Sequence, residues 1–129
     1  MFNYIHSTDP DFSGMLRFLT DELFAAERKG ERVWILGHVL TGWTGAEALD
    51  KPANLFFQIV SRFTPHTIAA IFFGHTHQDH FSVFYRAQSG ASRDISRHTR
   101  DARTVSFVGP SVTPLTNVNP SFRVYQVDP

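Results

Sequence analysis

The sequence predicts an α/β layered fold, and three observations carry that expectation. Two short apolar runs, residues 32–36 and 68–73, each end in Gly-His and have the unbroken hydrophobicity of strands covered on both faces. Between them, residues 54–63 repeat apolar side chains at helical spacing. After them come mainly strand candidates, at residues 81–85, 104–108 and 122–127. A strand, a helix and a second strand in that order form a right-handed crossover joining parallel strands. The later strands are expected to run as an antiparallel meander.

Taken in order, the first element is a helix. Asp9 is a candidate N-cap with Pro10 at the first helical position. Phe12, Leu16, Leu19, Leu23 and Ala26 recur three and four residues apart on one face, and Gly30 fits the stop. Residues 41–53, with Gly42, Gly45 and Pro52, have loop composition. Asn54 can cap a second helix whose inward residues are Leu55, Phe56, Ile59, Val60 and Phe63, and Pro65 ends it. Residues 86–103 read as a polar, arginine-rich loop. Residues 109–114, Gly-Pro-Ser-Val-Thr-Pro, read as a rigid connection.

Length and composition fit one globular unit over residues 1–129. Hydrophobic residues make up 42 % and charged residues 19 %, too apolar for a disordered chain. Lys plus Arg is 12 and Asp plus Glu is 12, so no global positive charge points to nucleic acid. Arg86, Arg93, Arg97, Arg100 and Arg103 share one region and could touch phosphates, but Asp94 and Asp101 dilute them and no aromatic lies among them for base stacking. With no cysteine there is no disulfide framework and no thiolate zinc site. No apolar run approaches a transmembrane span, and the first ten residues hold no signal-peptide core, so location is not legible in the chain.

Histidine is where chemistry concentrates. In an open parallel sheet, ligands gather beyond the carboxyl ends of strands, so the crossover sets His38 and His75 at one end. Gly37 and Gly74 remove a side chain where a metal or substrate must come close. His77 follows His75 by two residues, so in an extended segment the two imidazoles present themselves to one place, or one each to two adjacent ions. Neutral imidazole is the commonest ligand for zinc and similar ions. The candidate metal ligands are therefore His38, His75 and His77. His80 is close by but nothing in its spacing singles it out. His6, His66 and His98 read as surface residues, and Asp79 as a loop carboxylate.

The two Gly-His strand ends, the second extended to Gly74-His75-Thr76-His77, resemble the C-terminal half of the calcineurin-like metallophosphoesterases. The blocks Pro110-Ser111-Val112-Thr113-Pro114 and Asn119-Pro120-Ser121-Phe122-Arg123-Val124-Tyr125 resemble the acid sphingomyelinase-like branch, with Leu40-Thr41-Gly42-Trp43 after the first Gly-His closer to its fungal members. The resemblance implies a four-layer αββα fold, of which this chain is the C-terminal half: a mixed β-sheet with flanking helices. It also implies a binuclear centre, zinc in this branch, with His38 and His75 on one ion and His77 on the other. Two such ions clamp a phosphodiester and activate water for in-line attack; in this branch the products are ceramide and phosphocholine. Full-length members are secreted, lysosomal or vacuolar.

The family pattern also calls for an Asp-x-His, a Gly-Asp and an Asn-His motif, and the chain contains none of them. Those motifs belong to the N-terminal half of the family fold. No catalytic residue is therefore assigned, and the expectation is a truncated, inactive hydrolase chain holding at most one metal weakly. The alternative is a non-catalytic metal- or lipid-binding module derived from that half. An exposed sheet edge and apolar face would then favour self-association.

Overall fold

A computed structural model of the protein describes residues 9–41, 50–86, 99–115 and 117–128. The expected arginine-rich loop and the expected connection after the first Gly-His therefore lie largely outside the described residues. Among the described residues, two helices and four strands occur in the order α1 (Met15–Lys29), β1 (Val33–Leu36), α2 (Asp50–Phe63), β2 (Ile68–Phe73), β3 (His80–Tyr85) and β4 (Ala102–Val108), with one 3₁₀ turn at Thr99–Asp101.

Helix α1 begins later than the sequence predicts. Both carboxylate oxygens of Asp11 accept hydrogen bonds from the helix's first turn, from Leu16 N–H at 2.9 Å and Arg17 N–H at 2.8 Å. Asp9 instead accepts from Asp11 N–H, so it shapes the preceding turn rather than capping the helix. Phe12 falls in that turn and is exposed, whereas Leu16, Leu23 and Ala26 are buried as the spacing predicts. Gly30 stops the helix in the left-handed conformation, φ 71°, with its N–H on the Ala26 and Glu27 carbonyls.

Helix α2 starts before Asn54. Pro52, expected in a loop, occupies its first turn, where a missing N–H breaks no hydrogen bond. Phe56, Val60 and Phe63 are buried, with Leu55 and Ile59 packed against the core. The two helices are clamped at the surface by Arg62, which donates to both Glu27 carboxylate oxygens at 2.9 and 3.0 Å. Its guanidinium also sits 5.5 and 4.8 Å from the Phe24 and Phe63 ring centroids.

The sheet order is β1-β2-β4-β3. β1 is parallel to β2 and β2 to β4, while β3 and β4 are antiparallel. The parallel β1–α2–β2 unit is as expected. The last strands are not a simple meander, because β4 inserts beside β2 and leaves β3 at the edge. Ile35, Ile68, Ile71 and Phe84 join the helices in one core. A register shift between Val33 and Trp34 lets both Ile68 and Ile71 face it.

Two strand expectations are corrected. β1 is buried on one face only: Ile35 is in the core, but Trp34 and Leu36 are exposed. Among the described residues both helices pack on the same side of the sheet, so no helix covers the other side of β1. Residues 122–127 are not a strand either. Tyr125 lies against the sheet's second face, its ring centroid 4.9 Å from Phe72 and 5.4 Å from Phe107. Contact through the face rather than the edge leaves its backbone outside the ladder.

Candidate functional site

Parallel pairing carries the chain beyond β1 and β2 in step. Gly37 N–H donates to the Phe72 carbonyl and Gly74 N–H to the His38 carbonyl, both at 2.9 Å. The ladder therefore sets His38 and His75 side by side at the carboxyl end of the sheet. Their ring centroids are 5.2 Å apart with the planes at 79°. β4 ends alongside, with Gly109 N–H on the Phe73 carbonyl at 2.9 Å. The connection after it is tied down by Thr113 N–H to Ser111 Oγ at 3.1 Å and by Ser121 N–H to the Ser111 carbonyl at 2.8 Å. Leu115 on that connection brings its carbonyl oxygen to 3.5 Å from His77 Nδ1.

The Gly-His-Thr-His segment is not extended, which corrects the backbone premise on which the same-side placement of His75 and His77 rested. Both residues take positive φ, 76° and 61°. A left-handed residue on each side of Thr76 breaks the same-side rule of extended chain, so the two imidazoles have different neighbours: His38 for His75, Leu115 for His77. Side chains with a Cβ adopt this conformation only where surrounding structure holds them in it, and such positions gather at functional sites.

The two glycines do different work. A Cβ on Gly37 would stand 2.8 Å from Phe73 Cε1, so a side chain there must displace the ring. A Cβ on Gly74 would meet His38 Nδ1 at 3.6 Å, an ordinary contact. Alanine fits there; a branched side chain would press on the His38 imidazole.

The pair is the right size for a shared ion. A zinc–nitrogen bond of about 2.0–2.1 Å puts each ring centroid about 3 Å from the ion, so two imidazoles on one tetrahedral ion have centroids about 5 Å apart. Thr76 Oγ1, buried and without a hydrogen-bond partner among the described residues, belongs to the same loop and could accept a further polar neighbour. No group of three His, Cys, Asp or Glu side chains suited to a metal occurs among the described residues. The structure brings His38 and His75 together and sets His77 against Leu115.

His80, which sequence spacing did not single out, is also brought to this end, because antiparallel β3 begins opposite Val108. Its Nδ1 lies 3.1 Å from the Gln78 carbonyl. Asp79 pairs with Arg123, whose guanidinium pKa is raised by hydrogen bonds to Asp79 first and then Tyr125. That pairing agrees with Asp79 as a loop carboxylate, and it fastens the C-terminal segment beside the site.

No family model matches the chain. It is 38 % identical over 128 residues, 99 % of its length, to sphingomyelin phosphodiesterase 1 of Caenorhabditis elegans. It is 41 % identical over 124 residues, 96 % of its length, to sphingomyelin phosphodiesterase of Homo sapiens, and 41 % identical over 123 residues, 95 % of its length, to sphingomyelin phosphodiesterase B of Dictyostelium discoideum. The aligned stretches are 21 %, 17 % and 18 % of those proteins, so the chain spans about a fifth of the curated relatives it matches.

Proposed function

We propose that this chain, whose similarity to sphingomyelin phosphodiesterases supports the acid sphingomyelinase-like family, supplies part of the metal centre of a phosphodiester hydrolase of the metallophosphoesterase kind. The observation that carries the reading is the His38–His75 pair, two imidazoles 5.2 Å apart at the carboxyl end of parallel strands. His38 and His75 ligate one zinc ion as neutral imidazoles, and His77, with different neighbours, serves the second ion of a complete site. Bound metal would withdraw charge from phosphate oxygens and lower the pKa of water. This chain's part is to hold the two imidazoles at fixed separation through the β1–β2 ladder and to seat His77 against the 109–115 connection. The substrate is a phosphodiester lipid such as sphingomyelin.

The rest of the ligand set comes from outside the sequence given, which has no Asp-x-His, Gly-Asp or Asn-His motif. By itself the chain is expected to bind metal weakly and not to hydrolyse, because the motifs that supply the family's bridging carboxylate and its proton-donating histidine do not occur in the sequence given. The sheet's second face, with Trp34, Leu36 and Phe81 exposed, packs in the complete αββα fold against another sheet. Without that partner it drives self-association. The test is sphingomyelin turnover with added zinc, by the chain alone and mixed with the non-overlapping remainder of a relative. Activity in the mixture only is expected. Zinc-dependent turnover by the chain alone, abolished by His77→Ala, contradicts the half-site reading.

A further inference from the structure

We propose that the groove between α1 and the end of β1 holds an alkyl chain of the amphiphile whose phosphate meets His38 and His75. The groove encloses about 350 Å³, within the usual range for small-molecule sites. Its walls include Met15, Phe18, Leu19, Val39 and Phe73, and among the described residues that line it His38 is the one ionisable side chain. A polar occupant would lose its water there and find few bonding partners beyond His38, whereas an alkyl chain has no hydrogen bonds to lose. Two wall residues on α1 are large and open to solvent: Phe18 is 66 % exposed and Met15 43 %. Met15 and Phe18 stand three residues apart on α1, so they form one apolar ridge along the groove rather than scattered exposures. His38 belongs to both the groove wall and the imidazole pair. One ligand with an anionic phosphate at the pair and an apolar tail in the groove satisfies both. The inference rests on the reading of His38 and His75 as a phosphoester-binding pair, and adds where the lipid's tail goes.

The test is calorimetric titration of the full chain, with zinc present, using dodecylphosphocholine below its micelle concentration, hexylphosphocholine and phosphocholine. Each methylene taken from water is worth about fourfold in affinity, so seating three or four of the extra methylenes makes the dodecyl compound bind roughly 10²-fold tighter than the hexyl. A Met15→Glu, Phe18→Glu double variant, whose side chains are exposed and whose folding is checked by circular dichroism, should lose most of that difference while keeping its zinc affinity. Equal affinity for the two tails overturns the proposal. So does a tail-length dependence undiminished in the double variant, which would place the tail on some other surface or on the second sheet face. A failure of the metal reading shows separately, as zinc affinity unchanged by His38→Ala.

Discussion

The two faces of the sheet are made by the same strands and meet different ends. On one face Ile35, Ile71 and Phe84 are sealed by α1 and α2, and Ile71 is completely buried. On the other, Trp34, Leu36 and Phe81 are open, while Tyr125 lies over Phe72 and Phe107 and the Arg123 guanidinium over Phe107. Residue type does not separate the faces, since both are aromatic and aliphatic. What separates them is whether an amphipathic helix lies across. The carboxyl ends of β1 and β2 belong to neither face, and there the chain places His38 and His75.

The largest expected effect compares the faces directly. Ile71→Ala leaves a cavity among Ile35, Val60 and Phe84 and should cost about 2–5 kcal/mol in urea denaturation. Leu36→Ala, on the open face, should stay within about 0.5 kcal/mol. Similar losses at both positions would mean that something covers the second face in solution.

A smaller contrast lies at the strand ends. Gly37→Ala forces its Cβ against the Phe73 ring and should cost about 1–3 kcal/mol of stability. Gly74→Ala should be nearly silent, whereas Gly74→Val should weaken zinc binding by roughly tenfold through the His38 imidazole, with little change in Tm. If Gly74→Val melts far lower while zinc affinity holds, Gly74 is a packing residue alone.

The smallest effect is the clamp on the helical side. Arg62 holds the Glu27 carboxyl below its ordinary value of 4.5, chiefly by hydrogen bonding. A depressed carboxylate pKa stabilises the fold above the unfolded value, and that contribution is lost as pH falls through the folded one. The Tm difference between wild type and Glu27→Gln should therefore be present at neutral pH and vanish in acid below the folded pKa. It should be small and shrink with salt, since the pair is exposed. A difference that grows on acidification would contradict the linkage.

Much of the helical side was legible in the sequence because amphipathic spacing encodes it: Leu16, Leu23, Phe56, Val60 and Phe63 were identified as inward and are buried. The helix starts were less so. Asp11 and not Asp9 bonds the first turn of α1, a choice set by the geometry of one local turn. The exposure of β1 was hidden because an apolar run records hydrophobicity and not what lies opposite it. Gly-His at two parallel strand ends told that His38 and His75 share an end of the sheet. It could not tell that His75 and His77 bend into left-handed conformations, since side-chain spacing carries no sign of φ. Gly37 illustrates the same limit: what a side chain there would meet is Phe73, a residue distant in sequence.

The central claim is that His38 and His75 act as one zinc site. Calorimetric titration of zinc into the purified chain and into a His38→Ala, His75→Ala double variant tests it most directly. Two imidazoles with water completing the shell should give weak, single-site binding in the wild type, and the double variant should lose most of it. Equal stoichiometry and affinity in the two proteins would contradict the assignment.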